Sequence, residues 1–363
     1  MLELVLQTVR VQRGTQQIGY LTTFTFGDIA RLLEDGHLYV PNESDLPDFA
    51  QRKPNPRRIK EIAQYILETY QDGTTFFPPI CINVQPPPTY RDGNVALPYS
   101  SVTLRLTDGQ HRCCGIRQAL KDIQFQQSAN ALILSQLEIG ALLYAGLSLE
   151  EERQAFRDQN LLVQRPSVSL SHTFDRRSPI VLIAKNLVEE VPQFQNNVEM
   201  VDNSLGKHNP KLLTFSTLVT ATRHMFPHLK STNNLEAQTD WAITFWQAVA
   251  NALPNNLWEL QNEQKRSQQR QESVAVSAVA IQALGMLGRD FYQEGIPSEH
   301  LSKWLISLAE IDWRRENPLW HDRGVTQIGS SDNQIISNTK TTVESCHKFL
   351  REYIGITPSQ GTI

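Results

Sequence analysis

Short strand-like stretches mixed with helices fill the first half of the chain, and long segments of helical period fill the second. Thr22 to Phe26 is aromatic and β-branched, and helix signals follow over Asp28 to Leu33. Asn55-Pro56 predicts a helix start, with Asn55 as the cap and Pro56 at the first helical position. Behind it Ile59, Ile62, Ala63, Ile66 and Leu67 fall on one helical face, and Asp72-Gly73 ends the run. Pro79 to Val84 (PICINV) predicts a buried strand, Pro86 to Pro98 a loop, and Val102 to Leu106 (VTLRL) an alternating strand. Thr107-Asp108-Gly109 predicts a turn, and Ile116 to Ile123 a helix. Ile139 to Tyr144 reads as a strand, and Ser148-Leu149-Glu150-Glu151 as a capping box that opens a helix through Phe156. Gln159 to Ser171 predicts a polar loop broken by Pro166.

From Ser178-Pro179 onward the pattern predicts helices near 179–190, 215–226, 240–252, 273–293, 298–310 and 340–353. Leu260 to Ser273 is Gln-rich and charged and reads as a connector. The prediction is an α+β chain: a mixed domain over 1–175, then a mainly α-helical domain over 176–363. A length of 363 residues suits two domains.

Composition narrows the function. With 40% hydrophobic and 20% charged residues, the chain can build packed cores. Basic residues number 34 and acidic ones 38, a net charge of −4, which excludes coating nucleic acid by bulk charge but leaves a local basic patch open. The longest apolar stretch, Ala131 to Leu147, is broken by Ser135, Gln136 and Glu138, so no membrane span is expected. The N-terminus lacks the ordered regions of a secretory signal, and a cytoplasmic location is expected. Cys81, Cys113, Cys114 and Cys346 form no CxxC pair, so reduced thiols are expected, with no zinc, no haem and no metal site. G-x-x-x-x-G-K-[ST], HExxH and GxSxG are all missing, against a P-loop ATPase, a zincin or an α/β-hydrolase.

Two segments carry candidate chemistry. Asp108-Gly109-Gln110-His111-Arg112 lies between a strand and a helix. Gly109 permits close backbone approach, the helix start favours an anion, and His111 and Arg112 add donors. One reading is a phosphate-binding corner made by Gly109, Gln110, His111 and Arg112. The other is a turn in which Asp108 caps the helix and Arg112 pairs with a carboxylate. The second segment, Arg52-Lys53-Pro54-Asn55-Pro56-Arg57-Arg58, puts four cations within seven residues at a helix start. Cations there oppose the helix dipole, so a bound anion would account for them, as would a solvated basic corner. Arg52, Lys53, Arg57, Arg58, Arg112, Arg117 and Lys121, with Asn55 among them, form one DNA-facing surface if the two helices lie side by side, and Arg165 offers a further contact with Gln159-Asn160. Asp175-Arg176-Arg177, Lys207-His208 with Lys211, and Lys265-Arg266 with Arg270 are further basic clusters, each with a solvated alternative. Trp241, Trp246 and Trp258 read as core.

The order NPRRIKEIAQYI, PPICINV, DGQHR-CCGIRQAL resembles the ParB/sulfiredoxin-type domain. Its D-G-Q-H-R motif, with GLSLEEERQAFRDQN and RPSVSLSHTFDRRSP, is similar to the DGQHR-domain proteins of the DndB-like group. The similarity spans about residues 45–180. It implies a ParB/sulfiredoxin-like fold for the first domain, with phosphate bound at the last of the three segments. It also implies a DNA-binding repressor of a DNA phosphorothioation gene cluster. The implied partners are the duplex promoter of its own operon, other DNA sulfur modification proteins and a second copy of the chain. A sulfiredoxin-like enzyme has its reactive Cys where Gln110 stands, so reductase chemistry is not expected, and Cys113 and Cys114 read as packing residues. The alternative is a nucleotide-binding enzyme that uses ATP with Mg²⁺, with Asp108 and Glu61 placing metal or water and His111 as acid or base. A third reading is a scaffold whose apolar helices over 273–310 meet a partner or form a core.

Overall fold

The computed structural model describes residues 3–12, 18–40, 54–98, 101–124, 128–161, 166–229, 234–254, 258, 263–329 and 334–356. The chain divides into two compact units, Met1–Gln164 and Arg165–Ile363. The architecture is mixed α+β, with strands concentrated in the first unit.

The first unit runs β1 (Glu3–Gln7), β2 (Val9–Gln12), β3 (Ile18–Thr25), α1 (Phe26–Glu34), β4 (Leu38–Tyr39), α2 (Pro56–Thr69) and β5 (Ile80–Gln85). It continues through β6 (Thr89–Arg91), β7 (Asn94–Pro98), β8 (Thr103–Asp108), α3 (Gln110–Gln124), α4 (Ser128–Gln136), β9 (Glu138–Ala145) and α5 (Leu149–Leu161). Six strands form one mixed sheet in the order β2-β3-β9-β5-β8-β4, with β5 parallel to β9 and antiparallel to β8. Side chains alternate across β5. Ile80, Ile82 and Val84 enter the core with Leu104, Leu106 and Leu143 and with Ile29, Ile66 and Ile116 of the helices. Asn83 points to the opposite face, toward α5, and Cys81 flanks it there. Asn83 donates to the Leu147 carbonyl and accepts from the Leu147 N–H, both at 2.8 Å, and also bonds the buried Glu152. Arg105 completes this patch, 3.0 Å from Glu152.

Several predicted features appear as written. Asn55 caps α2 by accepting from the Arg57 N–H at 3.0 Å. Ser148 and Glu151 bond each other's backbone N–H at 2.8 and 3.3 Å. The segment read as a loop over 86–98 instead contains the β6–β7 hairpin, turning on Asp92-Gly93 with φ of 49° and 80°. β7 pairs antiparallel with β1 in a second, three-stranded sheet.

The second unit contains α6 (Val168–Phe174), α7 (Pro179–Glu190), β10 (Val198–Glu199), β11 (Leu213–Thr214), α8 (Phe215–Met225), α9 (Leu235–Ala252) and α10 (Glu263–Glu272). Then come α11 (Ala278–Gln293), α12 (Leu301–Leu305) between two short 3₁₀ turns, α13 (Pro318–Asp322), β12 (Gln327–Ile328), β13 (Gln334–Ile335) and α14 (Lys340–Ile354). Its core gathers Phe215, Phe245, Trp246, Leu284, Phe291 and Trp320, with Trp258 buried and Trp241 stacked on Phe245. The apolar segments over 273–310 form core here: Val279, Ile281, Leu284, Leu287, Leu301 and Leu305 are fully buried. Two readings need correction. Both ends of the expected polar loop at 159–171 are helical, in α5 up to Leu161 and in α6 from Val168. The expected connector over 260–273 contains the helix α10, whose Ser267 and Arg270 are buried.

Candidate functional site

The two segments singled out in the sequence meet in the first unit. β8 ends at Asp108, Gly109 turns the chain at φ +103°, and α3 starts at Gln110. A Cβ at position 109 would stand 2.5 Å from Ile80 Cγ2, so the turn needs glycine for space as well as for conformation. α3 lies against α2, and the two approach at Gly115, where any side chain would strike Ile62. This contact brings the starts of α2 and α3 to one corner.

His111 joins them. Its Nε2 accepts the Asn55 backbone N–H at 2.9 Å, which places the ring proton on Nδ1. Burial lowers the His111 pKa below its ordinary value, the Arg58 charge lowers it further, and Asp108 opposes both. The ring is therefore a neutral acceptor at neutral pH. The first N–H groups of α3, beside His111, have no intrahelical partner. Gln110 is buried at that start.

Arg112 occupies the other side. Its guanidinium pairs with Asp108 and also donates to the Pro78 and Pro79 carbonyls, the latter at 3.1 Å. Its side chain is 13% exposed. Of the two readings left open, the carboxylate pairing describes Arg112. The guanidinium braces the turn against the segment before β5, and its fork is filled by protein oxygens.

The remaining candidates spread around this corner. Arg57 is exposed and bonds Glu61 at 2.9 Å, so the Glu61 carboxylate serves an arginine one turn away. Arg58 is exposed and faces His111 closely enough to perturb it. Arg117 is half-buried on α3 beside Cys114. Arg52, Lys53 and Arg165 lie outside the described residues. Gln159, expected in a loop, sits on α5 and donates to Tyr144 Oη at 2.6 Å and to Cys81 Sγ at 3.4 Å. Lys121, a further candidate cation, pairs with Glu34 at 3.4 Å. Cys113 and Cys114 are buried, and burial raises both thiols.

Sequence reasoning missed Cys81 and Tyr144, which flank the motif on the α5 side of the sheet. Cys81 is opposite Asp108 in the β5–β8 register; burial raises its thiol pKa, and the Asp108 charge adds to that. The signal was the alternation within ICINVQ, whose polar positions mark a second face. Among the described residues no group of three or more His, Cys, Asp or Glu side chains converges to hold a metal ion. No described helix is long and apolar enough to cross a membrane.

The corner thus offers two helix starts, a neutral imidazole and exposed guanidinium groups, a donor set suited to phosphate oxygens. No curated protein matches the chain. The DndB family, described as DNA-sulfur modification-associated, matches residues 6–357, nearly the whole length, and the chain belongs to that family.

Proposed function

We propose that the protein is a DNA-binding repressor of a DNA phosphorothioation gene cluster, with the promoter of its own operon as its target. The observation that supports this reading most is the corner where Asn55 bonds His111, with Arg57 and Arg58 exposed beside it. Exposed guanidinium groups on a rigid helix start suit the backbone of a duplex, which presents phosphates along its length. The family's association with DNA sulfur modification supplies the biological setting. In this reading the protein works as a homo-oligomer alongside other DNA sulfur modification proteins.

The test is a fluorescence anisotropy titration with duplex DNA from upstream of the operon, against scrambled duplex, at several salt concentrations. The same series is run with and without Mg-ATP while phosphate release is followed. Selective binding, with a salt slope that falls by about 0.9 in Arg58→Ala, is the expected result. Equal affinity for both duplexes would overturn the repressor reading. Phosphate release that survives stringent purification would transfer the corner to nucleotide chemistry.

A further inference from the structure

The second unit contains a cavity of about 440 Å³ that the reading above does not use. Arg270, Arg315 and Lys207 line it, as do Thr214 and Ser277, the caps of α8 and α11. Thr214 accepts from the Thr217 N–H and Ser277 from the Ala280 N–H, so both helix starts are ordered at its wall. The size falls within the range of small-molecule sites, roughly 300–1,000 Å³.

The two arginines are the unusual feature. Arg270 is 8% exposed, and Arg315 is half-buried next to it. Arg270 Nη2 donates to the Gly206 carbonyl at 2.8 Å. Arg315 donates to the carbonyls of Ser273 and Arg270, each at 3.3 Å. Those oxygens are neutral. Among the described residues neither guanidinium forms an ion pair with a carboxylate. Burial lowers the pKa of both, and the Arg270 charge lowers that of Arg315 further. Buried cations are normally paired, because desolvation is costly and like charges repel. Here two of them border a cavity whose polar lining also includes two helix starts, each the positive end of a dipole. The formal charges that line the cavity, Arg270, Arg315 and Lys207, are all positive, and what faces them from the end of α10 is carbonyl oxygen, with no carboxylate among the lining residues. Leu212, Val279 and Ile336 add an apolar wall beside it.

We propose that this cavity is a binding site for a phosphate-type oxyanion, held between Arg270, Arg315 and the first turns of α8 and α11. The anion is carried by free phosphate or by a phosphorylated ligand of about mononucleotide size. An anion there neutralises the two guanidinium groups and accepts from the N–H groups that open α11. Lys207, exposed at the rim, adds a third cation.

The experiment is calorimetric titration of the full-length protein with inorganic phosphate, with AMP, and with a short duplex as competitor. Arg315→Gln and Lys207→Glu are compared with wild type, and circular dichroism melts check that each variant is folded. Lys207→Glu alters an exposed side chain and keeps the test valid if Arg315→Gln fails to fold. The expected result is saturable phosphate or AMP binding that Arg315→Gln weakens by about tenfold or more and Lys207→Glu by about threefold. AMP that binds more tightly than phosphate and resists the duplex identifies a free nucleotide as the source. Phosphate displaced by the duplex identifies a DNA backbone. Wild-type protein that binds neither anion at millimolar concentration would overturn the proposal. So would binding unchanged in both variants.

Discussion

In the first unit the starts of α2 and α3 meet beside Gly115 and carry their cations outward; in the second, α8 and α11 meet at Gly285, and Arg270 of α10 and Arg315 turn inward toward the starts of α8 and α11. Both arrangements depend on a residue without a side chain, but the neighbours differ. Gly115 faces the Cβ and branch methyl of Ile62, whereas Gly285 faces the backbone of Ala221. At either junction a side chain would force the elements apart, against a side-chain root in the first and against main chain in the second. The charges differ in kind as well. Arg57 and Arg58 sit in water, where screening shortens their reach to about 8–10 Å, and they suit a long polyanion that many such contacts hold in register. Arg270 is buried and Arg315 half-buried at a cavity wall, so each contact there is screened less and counts for more. The placement of arginine relative to solvent, more than its number, separates an extended interface from a pocket.

The comparison is broken most severely at the junctions. Gly285→Val is expected to destabilise the second unit by about 3 kcal/mol or more, because the new side chain meets main-chain atoms. Gly115→Ala, a smaller addition, should cost about 1–3 kcal/mol, because the new methyl meets Ile62 at its Cβ and α2 must shift. Urea denaturation measures both losses, and a variant as stable as wild type would contradict the close approach at its glycine.

Arg112→Ala comes next. It strips a partner from Asp108 and from two carbonyls, and about 2 kcal/mol of stability should be lost, since Asp108 keeps partial access to water. Thermal melting of the variant tests this. If Arg112 were held chiefly for a ligand, the variant would melt with wild type and lose binding alone.

Arg58→Ala gives the opposite expectation. An exposed cation at a helix start should be removed with a stability change within about 0.5 kcal/mol. Its effect belongs in the DNA titration, as a weaker salt dependence.

Acidification gives the smallest effect. The folded-state pKa of His111 is depressed, so the neutral ring contributes stability that is fully present above its ordinary value of 6.5 and is lost as pH falls through the folded value. Protonation puts a hydrogen on Nε2 and ends the bond from Asn55. The gap in melting temperature between wild type and His111→Ala should therefore narrow below pH 6.5. A gap that widened there would mean that the charged ring is the favoured form.

How much of this was legible in the sequence depends on whether the stabilising partner lay nearby in the chain. The Asn55 cap and the Ser148–Glu151 box were readable because donor and acceptor are within three residues. The β6–β7 hairpin was missed although Asp92-Gly93 is a strong turn signal, because β7 depends on β1, about ninety residues away in sequence. α10 was missed because EQKRSQQRQE has no apolar stripe to read. That helix is tied down by polar bonds from Ser267, Arg270 and Gln271 to the 206–207 carbonyls. At the site, the motif showed where donors would gather. It did not show that Arg112 turns back to Asp108 or that His111 reaches Asn55, since both depend on how α3 sits against its neighbours.

The Asn55–His111 bond also bears on how relatives of this chain can drift apart. Its donor is main chain, so position 55 tolerates any residue that keeps an N–H, and proline alone is forbidden there by this bond. The cap that Asn55 gives to α2 is a separate demand, one that serine, threonine or aspartate also meets. Position 111 has less freedom, because its acceptor must span the gap between two helices. Proline at 55 would remove the reason for histidine at 111, and the two positions are expected to change together although they stand 56 positions apart in the chain.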